Sequence, residues 1–196
     1  MDDFIEVNKS WFLKKYQEKL KKRYWTFSIS LNLFLQNHGK VIIETGCIRG
    51  KNDWGAGNST YVLGEFCKEY GRQLISVDNS PVNIAIAEEL TKEFHTNINF
   101  EESDSIEFLK NYDGKIDLLY LDSLDCKTEP NDCNVEAQEH ALNELKAAYA
   151  KLEKHAIVLI DDNLFKNGGK TRLCKEWLEK KGWCCAMDYK QTLWFR

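Results

Sequence analysis

Short runs rich in β-branched residues alternate with longer helical runs from residue 40 onward, and this alternation is the strongest constraint on the fold. The predicted strands are 41–44, 74–78, 98–100, 116–122 and 156–161. The helical patterns that follow them are 61–70, 82–94, 105–111, 135–152 and 171–181. Strands connected through helices form right-handed crossovers and a largely parallel sheet. Two last runs, 183–187 and 192–195, flank a short turn and predict an antiparallel hairpin.

The first 39 residues have a different pattern, in which aromatic and apolar residues recur at helical spacing with lysines between them. Tyr16 and Leu20 belong to this pattern, and a second helix is predicted at 26–36. We expect these helices to pack on the sheet or to cover a cleft. The chain of 196 residues then divides into a helical cap, 1–39, and an α/β region, 40–196, within one structural domain.

Composition excludes several classes of protein. Lys and Arg total 27 and Asp and Glu total 31, and the resulting net charge of −4 argues against a broad nucleic-acid footprint. No apolar run is long enough to span a bilayer, and the first residues lack the pattern of a secretory signal. The seven cysteines include no Cys-x-x-Cys pair, which predicts reduced thiols. We therefore expect a cytoplasmic protein without a membrane or nucleic-acid partner.

Four of the predicted strands end in acidic residues or run directly into them. These acidic residues are Glu44, Asp78, Asp122 and the pair Asp161-Asp162. Ligands of open parallel sheets bind at the carboxyl ends of the strands, so we expect these acids to converge on one crevice. A single aspartate at such a position is more often a helix N-cap, but capping does not account for the whole set.

The loop after the first strand contains glycines, which allow the backbone to approach a ligand closely. This loop does not match the dinucleotide fingerprint G-x-G-x-x-G, because Thr60 stands at the third glycine position. Asp78 ends the second strand, where a carboxylate can accept both ribose hydroxyls of an adenosyl group. The polar segment 102–105 follows the third strand, beside the expected adenine edge. These positions together predict an adenosine ligand without a pyrophosphate.

A series of motifs in this order resembles the class I S-adenosylmethionine-dependent methyltransferases: Glu44-Thr45-Gly46-x-x-x-Gly50, Val77-Asp78, Asp104, Asp122 and the final hairpin. The resemblance covers about residues 40–196. It implies a Rossmann-like α/β fold with a mostly parallel seven-stranded sheet and S-adenosyl-L-methionine as the cofactor. It also implies that Glu44, Gly46 and Ser59 hold the methionine moiety, that Asp78 holds the ribose, and that Asp104 and Ser105 hold the adenine. The full implied cofactor-binding set is Glu44, Gly46, Gly57 (preferred to Gly50), Ser59, Asp78, Asn79, Asp104, Ser105 and Asp122.

The residues after the fourth and fifth strands narrow the resemblance. Leu121-Asp122 and Ile160-Asp161-Asp162-Asn163 resemble metal-dependent O-methyltransferases of the catechol and macrolide-sugar types. The resemblance implies that Asp122, Asp161, Asp162 and Asn163 bind Mg²⁺ or Mn²⁺, and these side chains supply the oxygen ligands that hard cations prefer. The alternative is that Asp161 and Asp162 cap the following turn and repel one another unless a positive group intervenes.

Methyl transfer to a hydroxyl needs an aligned acceptor oxygen and a base that takes its proton. The predicted catalytic residues are Asp122, His140 and Asp125. We expect an O-methyltransferase that acts on a sugar, a glycan or another small molecule, with Trp54 able to stack on a sugar face. The alternatives are a phenolic or nucleic-acid acceptor and a non-catalytic adenosine-binding module. A nicotinamide-dependent oxidoreductase is disfavoured by the failed fingerprint, and a base-modifying amino-group enzyme by the absence of Pro-Pro.

Overall fold

A computed structural model describes residues 9–52, 54, 58–128 and 134–196. Within these ranges seven strands form one sheet in the order β3-β2-β1-β4-β5-β7-β6. The strands are β1 Val41–Thr45, β2 Gln73–Asp78, β3 Ile98–Glu102, β4 Ile116–Leu121, β5 Leu152–Ile160, β6 Cys184–Asp188 and β7 Thr192–Phe195. The first five strands pair in parallel, whereas β7 is antiparallel to both β5 and β6. The predicted α/β class, with a parallel sheet and a C-terminal antiparallel hairpin, is confirmed.

Helices lie on both faces of this sheet. They are α1 Lys9–Leu20, α2 Tyr24–Gln36, α3 Ser59–Tyr70, α4 Pro81–Leu90, α5 Ser105–Asn111, α6 Val135–Ala148 and α7 Arg172–Lys180. Short 3₁₀ segments are Lys21–Arg23, Lys92–Phe94, Tyr149–Lys151 and Lys166–Thr171. The strand predicted at 156–161 begins earlier, at Leu152, which pairs with Ile116 across an irregularity in the β4–β5 register. The polar residues 153–155, of which 154 and 155 are exposed, hide this start, because they lack an apolar pattern.

Alternate residues of the central strands enter two separate apolar cores. Ile42 and Leu118 pack with α1, α2 and α3 on one face, whereas Ile43 and Leu119 pack with α5, α6 and α7 on the other. Both faces of these strands are therefore covered, which explains their continuous apolar runs. Phe27 of α2 is fully buried in the first core, so the N-terminal helices share the core of the sheet. The predicted boundary at residue 39 stays a prediction.

Backbone hydrogen bonds continue past the ends of the parallel strands and fix the first residue of each loop. The Gly46 amide donates to Val77 O at 2.7 Å, and the Asp122 amide donates to Thr45 O at 3.1 Å. The Asp161 amide donates to the O atom of Leu121 at 3.1 Å. The loops after β1, β2, β4 and β5 are thus held side by side at one edge of the sheet.

Two expectations from composition can be compared with this structure. No helix in the described ranges is long and apolar enough to cross a membrane. The six cysteines that fall within those ranges form no disulfide with one another.

Candidate active site

Two adjoining cavities open at the carboxyl edge of the sheet, with volumes of about 140 and 400 Å³. The small cavity is lined by Gly46, Val77, Asp78, Asn79, Ser103, Asp104, Ser105, Ser123, Leu124 and His140. The large cavity is lined by Gly46, Cys47, Arg49, Ser59, Asp78, Asn79, Asn83, Asp122, Ser123, Leu124, Asp125, Cys126 and Lys127. Gly46 and Asp78 belong to the wall that the two cavities share. A ligand with two parts can therefore occupy both.

Gly46 brings the loops after β1 and β4 together. Its φ of +81° lies in the left-handed region, and a Cβ atom there would sit 2.5 Å from Asp122 O. Side-chain-bearing residues are strained in this conformation, and the backbone oxygen leaves no space for a methyl group. Only glycine therefore allows this wall of the cavities to form.

Asp78 is held at the shared wall by donors from two elements. Its Oδ2 accepts from Cys47 N at 3.2 Å, and its Oδ1 accepts from Ser80 N at 2.9 Å and Asn83 Nδ2 at 3.1 Å. These bonds fix the carboxylate between the β1 loop and the start of α4. The arrangement provides a rigid acceptor that faces both cavities.

The small cavity contains His140 together with the polar residues of the α5 start. Asp104 caps α5 by accepting from Glu107 N at 2.9 Å, and Ser105 Oγ lies 3.3 Å from His140 Nε2. The carboxylate of Glu144 lies 3.5 Å from the same ring nitrogen. This hydrogen-bonding contact with Glu144 raises the pKa of His140, and burial opposes the rise.

Three predicted site residues surround or support the large cavity. Ser59 opens α3 at the cavity wall, and Asp125 pairs across the mouth with Arg49, with 2.6 Å between Oδ2 and NH1. Glu44 lines neither cavity: its Oε2 accepts from Thr60 Oγ1 at 2.7 Å and from Ser76 Oγ at 2.8 Å. Burial raises the pKa of Glu44 to about 7, although neighbouring hydroxyls oppose the rise. Glu44 therefore supports the β1–α3 loop by fixing the start of α3 through Thr60, without lining either cavity.

Asp122 follows β4 and reaches the large cavity with only 11% of its side chain exposed. Its Oδ1 accepts from Lys170 Nζ at 3.0 Å, and its Oδ2 lies 3.0 Å from the Tyr120 hydroxyl. Burial raises the pKa of Asp122 to about 8, with the Lys170 ammonium opposing the rise. Asp122 thus presents to the large cavity a carboxyl group whose pKa is raised toward neutral pH.

Comparison with known proteins identifies the family. A family model described as a methyltransferase domain matches residues 54–163, more than half of the chain. The chain belongs to the class I S-adenosylmethionine-dependent methyltransferases. No curated protein sequence matches it.

Solved methyltransferase structures share the fold. The S-adenosylhomocysteine-bound Podospora anserina methyltransferase PaMTH1 is 17% identical, with a TM-score of 0.59, over 99% of this chain and 88% of that protein. The O-methyltransferase NovP is 15% identical, with a TM-score of 0.61, over 89% and 79%. CalS11, a TDP-rhamnose 3'-O-methyltransferase of calicheamicin biosynthesis, is 17% identical, with a TM-score of 0.60, over 96% and 86%.

The structure of this methyltransferase does not support the predicted metal site. Among the residues it describes, no three His, Cys, Asp or Glu side chains converge on a position for a metal ion. The Oδ1 atom of Asn163 accepts from Thr171 Oγ1 at 2.5 Å, and its Nδ2 donates to Asp188 Oδ1 at 2.7 Å, so its oxygen is already bonded. Basic side chains contact Asp122, Asp161 and Asp162 instead.

Several residues of this site were not predicted from the sequence. Arg23 lies 3.2 Å from Asp161, Lys170 lies 3.0 Å from Asp122, and Lys190 lies 2.8 Å from Asp162. The only signal for them was the repulsion expected between adjacent aspartates, which requires a positive charge nearby but does not indicate which residue provides it.

Two residues predicted from the sequence are not found at the cavities. Gly57 lies outside the described residues, and Trp54 lines neither cavity. The Trp54 ring packs against Tyr16, with 5.7 Å between ring centroids.

Proposed function

We propose that this methyltransferase transfers a methyl group from S-adenosylmethionine to a hydroxyl of a small polar acceptor, with a sugar or glycan as the first choice. The observation that carries the proposal is the large cavity, whose lining includes both Asp78 and Asp122. Nine of its thirteen lining residues carry polar or charged side chains, and among the described residues no aromatic side chain belongs to it. A sugar hydroxyl matches such a lining better than a planar phenol, which favours apolar and aromatic walls.

The cofactor is proposed to span the two cavities. When bound, it supplies a methyl group on a positively charged sulfur. Asp78 accepts the ribose hydroxyls at the shared wall, and Asp104 and Ser105 hold the adenine in the small cavity. Gly46, Ser59 and Asn79 border the methionine moiety, whereas Glu44 acts from beneath by fixing the loop. Support for this placement comes from Gly46, where contact with the Asp122 backbone leaves no room for a Cβ atom, and from the fixed Asp78 acceptor.

Asp122 is proposed as the general base. In methyl transfer an oxygen–carbon bond forms while the carbon–sulfur bond breaks, the electron pair of the broken bond stays on sulfur, and the hydroxyl proton leaves to a base. Asp122 borders the large cavity, and a base is most effective when its pKa lies near the working pH. Asp125 is less suited, because it is 55% exposed and paired with Arg49. His140 lies in the small cavity, away from the acceptor side.

The choice of a sugar acceptor also draws on the relatives by analogy. NovP is an O-methyltransferase and CalS11 methylates a TDP-rhamnose hydroxyl. Both share only the fold with this chain, so the polar lining of the large cavity remains the main support. A phenolic acceptor is the second candidate for the same cavity.

Calorimetry with S-adenosylhomocysteine tests the cofactor site. We expect the wild-type protein to bind it with one site, and Asp78→Ala to weaken the affinity about tenfold to hundredfold, because a charged acceptor for two hydroxyls is removed. The control is Asp113→Asn, an exposed aspartate before β4 at the opposite edge of the sheet. Unchanged affinity for S-adenosylhomocysteine in a folded Asp78→Ala protein would contradict the proposed role of Asp78 in binding the ribose.

A screen with methyl-labelled S-adenosylmethionine tests the acceptor. We expect labelled product from hydroxylated sugars or sugar nucleotides and a loss of turnover of about a hundredfold in Asp122→Asn, the usual size of a general-base effect. Asp113→Asn again serves as the control. Product from catechols alone would select the second candidate, and product from RNA alone would overturn the proposed acceptor class.

A further inference from the structure

Three acidic side chains at the ends of β4 and β5 are matched by three basic ones. The acidic residues are Asp122, Asp161 and Asp162, and the basic residues are Arg23, Lys170 and Lys190. We call these six residues the charge cluster. The basic members come from three separate parts of the chain, so the tertiary fold brings them together.

Lys170 is the most enclosed base of the charge cluster, with 2% of its side chain exposed. Its Nζ lies 3.0 Å from Asp122 Oδ1 and 3.7 Å from Asp162 Oδ2, so it bridges the ends of β4 and β5. Gly169 makes this insertion possible: its φ is +51°, and a Cβ atom there would sit 1.7 Å from Asp162 O. The loop before α7 therefore packs directly against the backbone of Asp162.

Lys190 and Arg23 neutralise the rest of the acidic side chains. Lys190, in the β6–β7 turn, lies 2.8 Å from Asp162 Oδ1 and 3.6 Å from Asp161 Oδ1. Arg23 precedes α2, and its NH1 lies 3.2 Å from Asp161 Oδ2, with 2% of the Arg23 side chain exposed. Removing a charge from water is costly unless a partner compensates it, and here the protein supplies the partner itself.

Neutral polar groups also contact the same carboxyl groups. The Tyr120 hydroxyl lies 2.9 Å from Asp161 Oδ2 and 3.0 Å from Asp122 Oδ2, and Gln191 Nε2 donates to that hydroxyl at 3.1 Å. The Asp162 amide donates to Asp161 Oδ1 at 2.7 Å. Magnesium is usually held in proteins by one or two carboxylates, with water completing the octahedron. Here each carboxylate oxygen of Asp122, Asp161 and Asp162 already has a donor or a cationic side chain within 3.7 Å.

We propose that the ammonium groups of Lys170, which is buried, and Lys190, which is partly exposed, replace the divalent cation, so that this methyltransferase binds its cofactor and works without a metal ion. The cluster holds Asp122 against the large cavity with a side-chain cation rather than with an exchangeable ion. This inference rests on the proposed function for the identity of the cofactor, but the replacement of the metal by lysine can be tested independently of it.

The first experiment measures metal binding directly. Electron paramagnetic resonance with MnCl₂ alone is expected to show no bound Mn²⁺ in the wild-type protein at millimolar metal. Calorimetry is expected to give the same S-adenosylhomocysteine affinity in EDTA and in MnCl₂. One tight Mn²⁺ site that Asp162→Asn abolishes would overturn the inference. Absence of S-adenosylhomocysteine binding in both buffers would instead count against the proposed function, with the Mn²⁺ signal still deciding this inference.

The second experiment removes the lysines singly. Lys170→Met and Lys190→Met each leave acidic oxygens without their cation, so we expect Mn²⁺ to bind these variants and to raise their melting temperature, but not that of the wild type. The matched control is Lys175→Met, since Lys175 pairs with Asp188 at 2.8 Å outside the charge cluster. Lys190, with 20% of its side chain exposed, provides the milder variant should Lys170→Met fail to fold. Folded variants that gain no Mn²⁺ would refute the replacement.

Discussion

Gly46 is the point at which the loops after β1 and β4 touch, and its substitution tests how the cavity wall is built. We expect Gly46→Ala to lower the free energy of unfolding by on the order of 3 kcal/mol, because the left-handed backbone strains an alanine and the new Cβ meets Asp122 O at 2.5 Å. Urea unfolding measures this loss, and calorimetry checks for the accompanying loss of S-adenosylhomocysteine binding.

Gly50, in the same loop, provides a matched control. A Cβ atom at Gly50 would meet nothing within 4 Å, and its φ lies outside the left-handed region. Gly50→Ala is therefore expected to leave both stability and cofactor affinity near the wild-type values. Equal losses in the two variants would show that the loop, and not the contact with Asp122, determines the effect.

His140 gives a second test at the scale of one residue. Its hydrogen-bonding contact with Glu144 favours the imidazolium, with Asp104 adding to the effect and burial and Lys170 opposing it. Glu144→Gln removes the main cause, so we expect the pKa of His140 to fall, as measured by NMR titration with His140→Gln for assignment. Because the folded pKa lies above the ordinary 6.5, the stability that this pair contributes is full below pH 6.5 and is lost as the pH rises through the folded value.

An unchanged pKa of His140 in Glu144→Gln would contradict the hydrogen-bonding contact between His140 and Glu144. Glu139→Gln, one residue before His140 on the exposed side of α6, is a suitable control, because no contact of Glu139 enters the network.

The strand-end acids show which residues the sequence could predict. Glu44, Asp78 and Asp122 were found because each follows an apolar run, and the parallel sheet places all such ends at one edge. Their partners could not be found in this way. Lys170 reaches Asp122 from 48 positions further along the chain, through a turn in which Gly168 and Gly169 both have positive φ. Contacts of this kind depend on tertiary packing and leave no periodic signal.

At the scale of elements, Arg23 ties the N-terminal helices to the sheet. Its NH1 lies 3.2 Å from Asp161 Oδ2 at the end of β5, and its NH2 donates to Trp54 O at 2.9 Å in the loop after β1. Arg23→Met leaves a buried carboxylate with one cation fewer. We expect the free energy of unfolding to fall by on the order of 3 kcal/mol, which urea titration measures.

Lys22→Met is the matched control for Arg23, because Lys22 is its exposed neighbour in the same 3₁₀ segment. A similar loss of unfolding free energy in both variants would mean that any substitution in this segment is destabilising. The Arg23–Asp161 ion pair would then not explain the effect. The parallel pairing of the first five strands needed no such detail, because it follows from the alternation of strands and helices. The early start of β5 at Leu152 is hidden by the polar residues 153–155.

At the scale of the whole molecule, two buried acids whose pKa values shift in opposite directions contribute to the dependence of stability on pH. Burial works against ionisation of Asp161, but Arg23 and Lys190 hold its pKa below the ordinary 3.8, so its contribution is lost only in strong acid. Glu44 behaves in the opposite way, since burial raises its pKa from 4.5 to about 7. Its contribution is full below pH 4.5 and is lost as the pH rises through 7.

Between pH 5 and pH 8 the wild-type protein should therefore lose about 2 to 3 kcal/mol more stability than Glu44→Gln, whose amide stays neutral. Urea unfolding of both proteins across this range measures the difference, and the contribution of His140 cancels because both proteins contain it. Glu88→Gln, at an exposed position of α4, controls for the loss of one charge from the surface. Parallel curves for wild type and Glu44→Gln would mean that Glu44 is ionised in the folded protein throughout, and the support it gives to the β1–α3 loop would then be that of a charged acceptor.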